Sequence, residues 1–367
     1  MKKKMLCVLL ASVMAVGTLA GCGGGNSSST TAAASGTTAA ASESQASGGQ
    51  SDTASGDLGD PQTFKFALTV ASTHPYSIAA QDFAKIVEEK SGGRMHIDVF
   101  ANAQLASDRD CIEGMQINTI QSGIMVGSAL AGFTDELLVF DLPFLFENSE
   151  QGQKLCDSDV GKEMLASLDD IGIKGLGFME YGMRNITNSK LPIEKPEDLQ
   201  GIKIRTMENQ IHMEAFSVMG ADPTPMAFGE LFTALQQGTI DAQENPLSVI
   251  TSSKFNEVQT YLSVTEHVYS AAPLMVSKAA YDALPEDLQA VVDEAGMEAC
   301  VWEREYLAEA ETAWLDELEA AGMQINYPEK DAFVEATKSV YDEFVGDEAG
   351  KVSPELLEKA YEIIGRE

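Results

Sequence analysis

The stretch from Gly201 to Pro246 constrains the fold more than any other part of the chain, because its hydrophobic period switches between that of a strand and that of a helix. Ile202 and Ile204 alternate with charged residues, which predicts a short strand with one buried face. An apolar helical stripe follows at Ile211, Ala215, Val218 and Met219. Gly220 comes directly after this stripe and is a typical helix stop.

The second half of this stretch repeats the pattern over fewer residues. Residues 221–226, ADPTPM, are rich in proline and predict a turn. Residues 229–237, GELFTALQQ, predict a helix, and residues 239–243, TIDAQ, predict a second short strand. This strand leads to Asn245, whose backbone is pushed into an extended conformation by the proline that follows it.

Arg205 and Asn245 stand where these two predicted strands end. In an open α/β sheet, ligands bind in the crevice outside the carboxyl ends of the strands, so we expect both side chains at one crevice. Arginine offers a planar fork that matches a carboxylate through two bonds, and asparagine offers both a donor and an acceptor. The pattern therefore predicts a crevice that suits a carboxylate.

The rest of the chain alternates strands and helices in the same way. Apolar residues alternate at 64–68 and 95–99, which predicts two strands, and residues 119–126 predict a third. Repeated βα units imply a parallel type of sheet with helices on its faces. Two such runs, before and after about Tyr181, predict an α/β protein with two lobes.

One element is too long for a single lobe. Residues 285–321 keep an apolar helical stripe nearly throughout, and such a helix would be about 50 Å long. We therefore expect it to span both lobes, with a bend or a break at Gly296. Residues 330–367 predict amphipathic helices that pack on the second lobe. The predicted lobe ranges are 61–181 with 271–310, and 182–270 with 311–367.

The chain begins with a predicted export signal over residues 1–21. Lysines precede an apolar run that is shorter than a membrane-spanning helix. The run ends in Leu-Ala-Gly-Cys, which resembles a lipobox and implies lipid on Cys22; an ordinary secretory signal cut elsewhere is the alternative. Residues 22–60 are rich in glycine, serine, threonine and alanine and predict a flexible tether. The expected location is the outer face of a Gram-positive cell membrane, with lipid as the only anchor.

Composition excludes several classes of function. A formal net charge of −33 argues against binding to nucleic acid or to anionic lipid, so an anionic ligand requires a local cluster of positive groups. Cys111, Cys156 and Cys300 have no C-x-x-C spacing and are expected to be small buried residues. The histidines show no ligand spacing, and the sequence indicates neither a metal site nor a cofactor site.

Motifs from about Pro61 to the C-terminus resemble a known family. The segments KIRTMEN, PTPMAF, ALQ-x-G and QENP follow one another in order, with LLVFDLPFLF and MRNITNSKLPIEKPEDLQG before them. This set resembles the substrate-binding subunits of TRAP (tripartite ATP-independent periplasmic) transporters, in the branch that binds C4-dicarboxylates and sugar acids. The resemblance implies a periplasmic-binding-protein-like fold of type II: two lobes, each a mixed sheet flanked by helices, with a long helix across both.

The resemblance also implies positions for ligand contacts. Arg205 of the K-I-R motif pairs with the substrate carboxylate in this family, and Asn245 of QENP is a further contact. Phe228 of PMAF resembles an aromatic residue of the pocket floor, although core packing accounts for it equally well. Arg184 of MRNITNS and His267, where the chain crosses between the lobes, match family residues near the cleft.

Three further candidates have two interpretations each. His74 ends the first predicted strand and either faces the ligand or is a loop histidine without one. Asp108 either accepts bonds from sugar hydroxyls or is an acidic residue favoured by the start of a helix. Glu244 either bonds to ligand hydroxyls or orients Arg205, and the second role is the one we expect.

These features bear on three candidate functions. The leading hypothesis is a non-catalytic binding protein whose lobes close over a small organic acid, either a sugar acid such as a hexuronate or a C4-dicarboxylate, and pass it to the small and large TRAP membrane subunits. A solute-binding lipoprotein of an ATP-driven importer is the alternative. A secreted hydrolase is disfavoured, since the chain has no G-x-S-x-G elbow and no metal-ligand histidine pair.

Overall fold

The computed structural model describes residues 61–346 and 350–366. The predicted signal at 1–21, the lipid site at Cys22 and the tether at 22–60 lie outside these residues. In the part of the chain that is described, no helix combines the length and the apolar character needed to cross a bilayer.

The described residues form ten strands and twelve α-helices. The strands are β1 Gln62–Ala67, β2 Met95–Phe100, β3 Ser122–Ile124, β4 Ile173–Asn188, β5 Lys203–Thr206, β6 Asp222–Pro225, β7 Ala242–Pro246, β8 Tyr261–Ser263, β9 Tyr269–Ser277 and β10 Gln324–Asn326. The helices are α1 Pro75–Ser91, α2 Asp108–Gln116, α3 Ser149–Asp157, α4 Asp159–Ser167, α5 Gln210–Val218, α6 Phe228–Gln237, α7 Leu247–Ser252, α8 Lys278–Asp282, α9 Glu286–Ala320, α10 Asp331–Ala336, α11 Lys338–Phe344 and α12 Pro354–Ile364.

The strands form one mixed sheet in the order β2-β1-β3-β9-β4-β7-β5-β6, with β8 beside β4 and β10 beside β8. The outer strands run parallel to their neighbours, whereas β4 and β9 run antiparallel to theirs. All nine residues of β9 are buried, which is expected of a strand covered on both faces. The predicted α/β class with helices on a mixed sheet is confirmed.

Strand β4 belongs to both halves of this sheet. Residues 173–183 pair with β9, and residues 184–188 pair with β7. The boundary predicted at Tyr181 thus falls two residues before β4 changes its partner. The lobe ranges themselves stay a prediction, and a contact between α12 and α3 would place that last helix with the first range instead of the second.

The long helix α9 covers 35 residues without a break, so the prediction of a bend or break at Gly296 was wrong. A Cβ atom at Gly296 would come within 2.9 Å of the Leu176 side chain, and close packing against β4 therefore explains this glycine. The helix packs on α1, β4 and α7 and so reaches elements of both predicted lobe ranges.

Two local predictions between 221 and 246 also needed correction. The segment predicted as a proline-rich turn contains β6, which pairs in parallel with β5. Because β6 lies at the edge of the sheet, its prolines remove no hydrogen bond that an inner strand would need. Strand β7 begins three residues later than the TIDAQ segment and continues through Asn245 to Pro246.

Candidate functional site

The carboxyl ends of four strands meet at one cavity. Arg205 comes from β5 and Asn245 from the neighbouring β7, and the structure thus brings together the two side chains that the strand ends predicted. The wall consists of Thr69, Val70, Tyr76, Asp108, Ile124, Met125, Val126, Tyr181, Arg205, Met207, Phe228 and Asn245. Its charged members are one arginine and one aspartate, and the rest are mostly apolar or aromatic.

Arg205 is only 2% exposed. Its Nε and Nη2 atoms donate to the main-chain oxygen of Met226 at 2.9 and 2.7 Å, and its guanidinium lies 6.0 Å from the centre of the Phe228 ring. Burial lowers the pKa of Arg205 to about 10, so the side chain stays a cation at neutral pH. Within the described residues it forms no salt bridge. The site therefore holds a buried positive charge that has no carboxylate in direct contact with it.

Asp108 lies on the same wall at the start of α2, where Ser107 is the N-cap. Its Oδ1 atom accepts a hydrogen bond from Thr69 Oγ1 at 2.7 Å. Burial raises the pKa of Asp108, while the bond from Thr69 and the charge of Arg205 act in the opposite direction. Asp108 is thus a first-turn acid that also lines the cavity, and its predicted bonds to sugar hydroxyls remain a prediction.

Arg184 does not line this cavity. It is fully buried and forms an ion pair with Glu244, in which Nε approaches Oε2 and Nη2 donates to Oε1 at 2.9 Å. Nη2 also donates to the main-chain oxygen of Glu244 at 2.6 Å and to Asn245 Oδ1 at 3.0 Å. Arg184 therefore orients Asn245, and its role as a direct ligand contact remains a prediction.

Glu244 likewise has a different partner from the one expected. It contacts Arg184 rather than Arg205, and His267 Nε2 lies 3.2 Å from its Oε2 atom. Burial alone would raise the pKa of Glu244, but the charge of Arg184 and the bonds from His267 and Arg184 hold it well below its usual range. Glu244 is thus an ionised carboxylate at neutral pH that compensates the charge of Arg184.

Neither His74 nor His267 reaches the cavity wall. His74 is completely buried and caps α1, since its Nδ1 atom accepts from the Tyr76 main-chain nitrogen at 3.1 Å. Burial lowers the pKa of His74 to about 3, which keeps the ring neutral. His267 is bound by Glu244 on one side and by Thr265 Oγ1 at 2.8 Å on the other. Their roles as ligand contacts remain predictions.

Two tyrosines form an aromatic wall of the cavity that the sequence pattern did not predict. The Tyr76 and Tyr181 rings stack with their centres 5.1 Å apart, and both line the cavity beside His74. Tyr76 directly follows the His74-Pro75 pair that was predicted near the ligand, so a local indication existed for it. No motif beside Tyr181 indicates that this residue lines the cavity. Phe228 has both of its proposed roles, because it lines the cavity and packs on Phe255 with ring centres 6.3 Å apart.

A second cavity adjoins the first and shares Asp108, Arg205, Met207 and Phe228 with it. Arg109 and Glu208 contribute further charges to its wall. Elsewhere, Cys111, Cys156 and Cys300 are free and buried, which confirms their expected character. Residues 61–346 and 350–366 contain no group of three or more acidic, histidine or cysteine side chains that could hold a metal ion.

Known proteins resemble this chain along most of its length. The DctP family, described as bacterial extracellular solute-binding protein, family 7, matches residues 66–347. The 2,3-diketo-L-gulonate-binding periplasmic protein of Escherichia coli K12 is 35% identical over 288 residues, which cover 78% of this chain and 88% of the relative. The C4-dicarboxylate-binding periplasmic protein of Rhodobacter capsulatus is 31% identical over 294 residues, which cover 78% of this chain and 87% of the relative.

The solved structures agree with this match. A TRAP periplasmic solute-binding protein from Polaromonas sp. JS666, crystallised with D-erythronate, has a TM-score of 0.78 at 36% identity, and the alignment covers 83% of this chain and 99% of that one. The family match covers well over half of the sequence. This protein therefore belongs to the DctP family, the extracellular solute-binding proteins of TRAP transporters.

Proposed function

We propose that this protein captures a small hydroxylated monocarboxylate, a sugar acid such as a hexuronate or an aldonate, by pairing its carboxylate with Arg205. The observation that carries this proposal is a buried guanidinium on a cavity wall with no salt bridge to the described residues. An isolated buried charge costs several kcal/mol unless a partner compensates it, and a ligand carboxylate would be that partner.

Asp108 separates the two ligand classes that the sequence left open. It lies on the same small cavity as Arg205, and its contact there is the neutral hydroxyl of Thr69. A sugar acid would offer hydroxyl donors to this carboxylate. The second carboxylate of a C4-dicarboxylate would instead meet a like charge in a buried cavity, which costs several kcal/mol. The relatives named for diketogulonate and crystallised with D-erythronate support the sugar-acid class.

The test is calorimetry of the protein with D-glucuronate, D-galactonate and D-erythronate against succinate. We expect at least one of the sugar acids to bind and succinate to bind at least tenfold more weakly than that acid. Asp108→Asn should reduce the difference in affinity between that sugar acid and succinate. Asp110 is an exposed acid in the same first turn, and Asp110→Asn should leave the difference in affinity unchanged. Tighter binding of succinate than of every sugar acid would contradict the proposal.

Delivery completes the proposed function. We infer that the lobes close over the bound acid by hinge bending and that the closed form delivers it to the small and large TRAP membrane subunits without chemical change. Membership in the DctP family favours these partners over an ATP-driven importer, and it favours binding over catalysis. Recovery of an altered acid after incubation with the protein would contradict the non-catalytic role.

We also propose that lipid on Cys22 anchors the protein to the outer face of a Gram-positive cell membrane. The basis is the Leu-Ala-Gly-Cys sequence and the tether that follows it. Acyl chains need the thiol, so Cys22→Ser protein should be released into the medium while the unaltered protein remains with the membrane. Membrane-bound, lipid-bearing Cys22→Ser protein would contradict the anchor.

A further inference from the structure

The cavity wall depends on an irregularity in β4. Glu180 pairs with Ala271 and Gly182 with Ser270, so Tyr181 is an extra residue that has no partner on β9. Such a bulge bends the strand and redirects one side chain. Gly182 permits the bend, because its φ of 103° is one that other residues rarely adopt.

The redirected side chain is part of the candidate site. The Tyr181 ring lies on the cavity wall with Arg205 and Asp108, and it is 5% exposed. It stacks on Tyr76 with an angle of 20° between the ring planes. A rotation of the bulge would therefore move one face of the cavity, even though the backbone of the bulge is not itself a contact for the ligand.

Two consecutive residues of α9 hold the strand directly before this bulge. Glu303 Oε2 accepts a hydrogen bond from the main-chain nitrogen of Glu180 at 3.0 Å. Arg304 donates from Nε and Nη2 to the main-chain oxygen of Phe178 at 2.9 and 2.6 Å, and its Nη1 atom donates to Asp157 at 2.7 Å. The long helix thus supplies partners to two main-chain groups of β4 in the three residues that precede Tyr181.

Glu303 is unusual among the acids of this helix, because it is completely buried. Burial raises the pKa of its carboxyl well above its usual range, and the nearby Glu180 acts in the same direction. Burial of an acidic side chain costs free energy unless hydrogen bonds compensate it. Its defined contact is the Glu180 main chain, since in the described residues its other oxygen has no hydrogen-bond partner.

We propose that Glu303, assisted by Arg304, is a positioning residue for ligand binding. Its bond to the Glu180 main chain holds β4 next to the bulge and thereby directs Tyr181 into the cavity. This inference rests on the proposed function, since it assigns a wall of the same site. It makes the long helix a determinant of affinity and not only a brace, although no residue of α9 lines the cavity.

The test compares Glu303→Gln with Glu303→Leu. Glutamine keeps an oxygen acceptor of the same length, whereas leucine fills the space without one. Leu318→Ala is the control, because Leu318 is equally buried on α9 but lies about four turns from Glu303. This control should lower the melting temperature through a cavity and leave the bulge intact.

The first measurement needs no ligand. Fluorine NMR of protein labelled with 3-fluorotyrosine, with the Tyr181 signal assigned through Tyr181→Phe, reports on the ring, and amide exchange reports on the Glu180 N–H. We expect Glu303→Leu to shift the Tyr181 signal and to speed exchange at Glu180. Glu303→Gln and Leu318→Ala should change neither. An unmoved Tyr181 signal in folded Glu303→Leu protein, or an equal shift in the control, would overturn the proposal.

The second measurement is affinity for the acid among D-glucuronate, D-galactonate and D-erythronate that binds the unaltered protein best. Glu303→Leu should weaken it by roughly tenfold, and Glu303→Gln by no more than about twofold. If Glu303→Leu does not fold, Arg304→Met, which removes the bonds to Phe178, should give the same signal shift and loss of affinity. Failure of all three acids to bind the unaltered protein would overturn the proposed function, while the spectroscopic result would still decide the role of Glu303.

Discussion

Arg205→Lys is expected to weaken binding of the sugar acid by roughly 30- to 1,000-fold and to leave the fold intact, which corresponds to a loss of about 2 to 4 kcal/mol. Lysine keeps the positive charge but lacks the planar fork. In the free protein two guanidinium nitrogens of Arg205 already bond to Met226, so the arginine can hold the wall and the ligand at once. A single ammonium group cannot match both geometries.

Arg205→Ala should lose at least as much affinity, because the ligand carboxylate would be buried without its main partner. Calorimetry on both variants, together with their melting curves without ligand, distinguishes a binding role from a structural one. Arg109→Ala is the control, since Arg109 lines only the adjoining cavity and forms an exposed ion pair with Glu113; it should change affinity little. Unchanged affinity in folded Arg205→Ala protein would remove Arg205 from the site.

Arg184→Met is expected to destabilise the free protein by about 3 to 5 kcal/mol, because it leaves Glu244 as a buried carboxylate without its cation. The double variant Arg184→Met, Glu244→Gln should recover part of this loss, since the uncompensated charge is then gone. Lys154→Met, which breaks an exposed pair with Glu150, should cost less than about 1 kcal/mol. Chemical denaturation of the three variants measures these differences.

The same variants decide between the two roles of Arg184. In the structure Arg184 orients Asn245 from outside the cavity, so its loss should reduce affinity only through Asn245 and should reduce stability strongly. The family resemblance instead implies a ligand contact. An Arg184→Met protein as stable as the unaltered one but unable to bind D-glucuronate, D-galactonate or D-erythronate, when the unaltered protein does, would favour that direct contact.

Local pattern was sufficient for several of the elements and for two of the site residues, although it missed β6 and the start of β7. Arg205 ends a segment of alternating apolar and charged residues, and Asn245 directly precedes a proline. Both features mark the end of a strand, and a strand end depends on only a few neighbouring residues. The long helix was predictable for the same reason, because an apolar stripe of 35 residues is a repeated local signal. Gly296, in the first third of this helix, misled the prediction, because the side chain that explains it belongs to Leu176, 120 positions earlier.

Tertiary structure alone decided the partners of the remaining site residues. Arg184 meets Glu244 because β4 pairs with β7 across 60 positions of sequence. Tyr181 reaches the cavity because one residue of β4 is left over against β9. The sequence specifies the type of each side chain, but the charge or ring that a side chain contacts depends on strand register. Register is determined only when distant segments pack together.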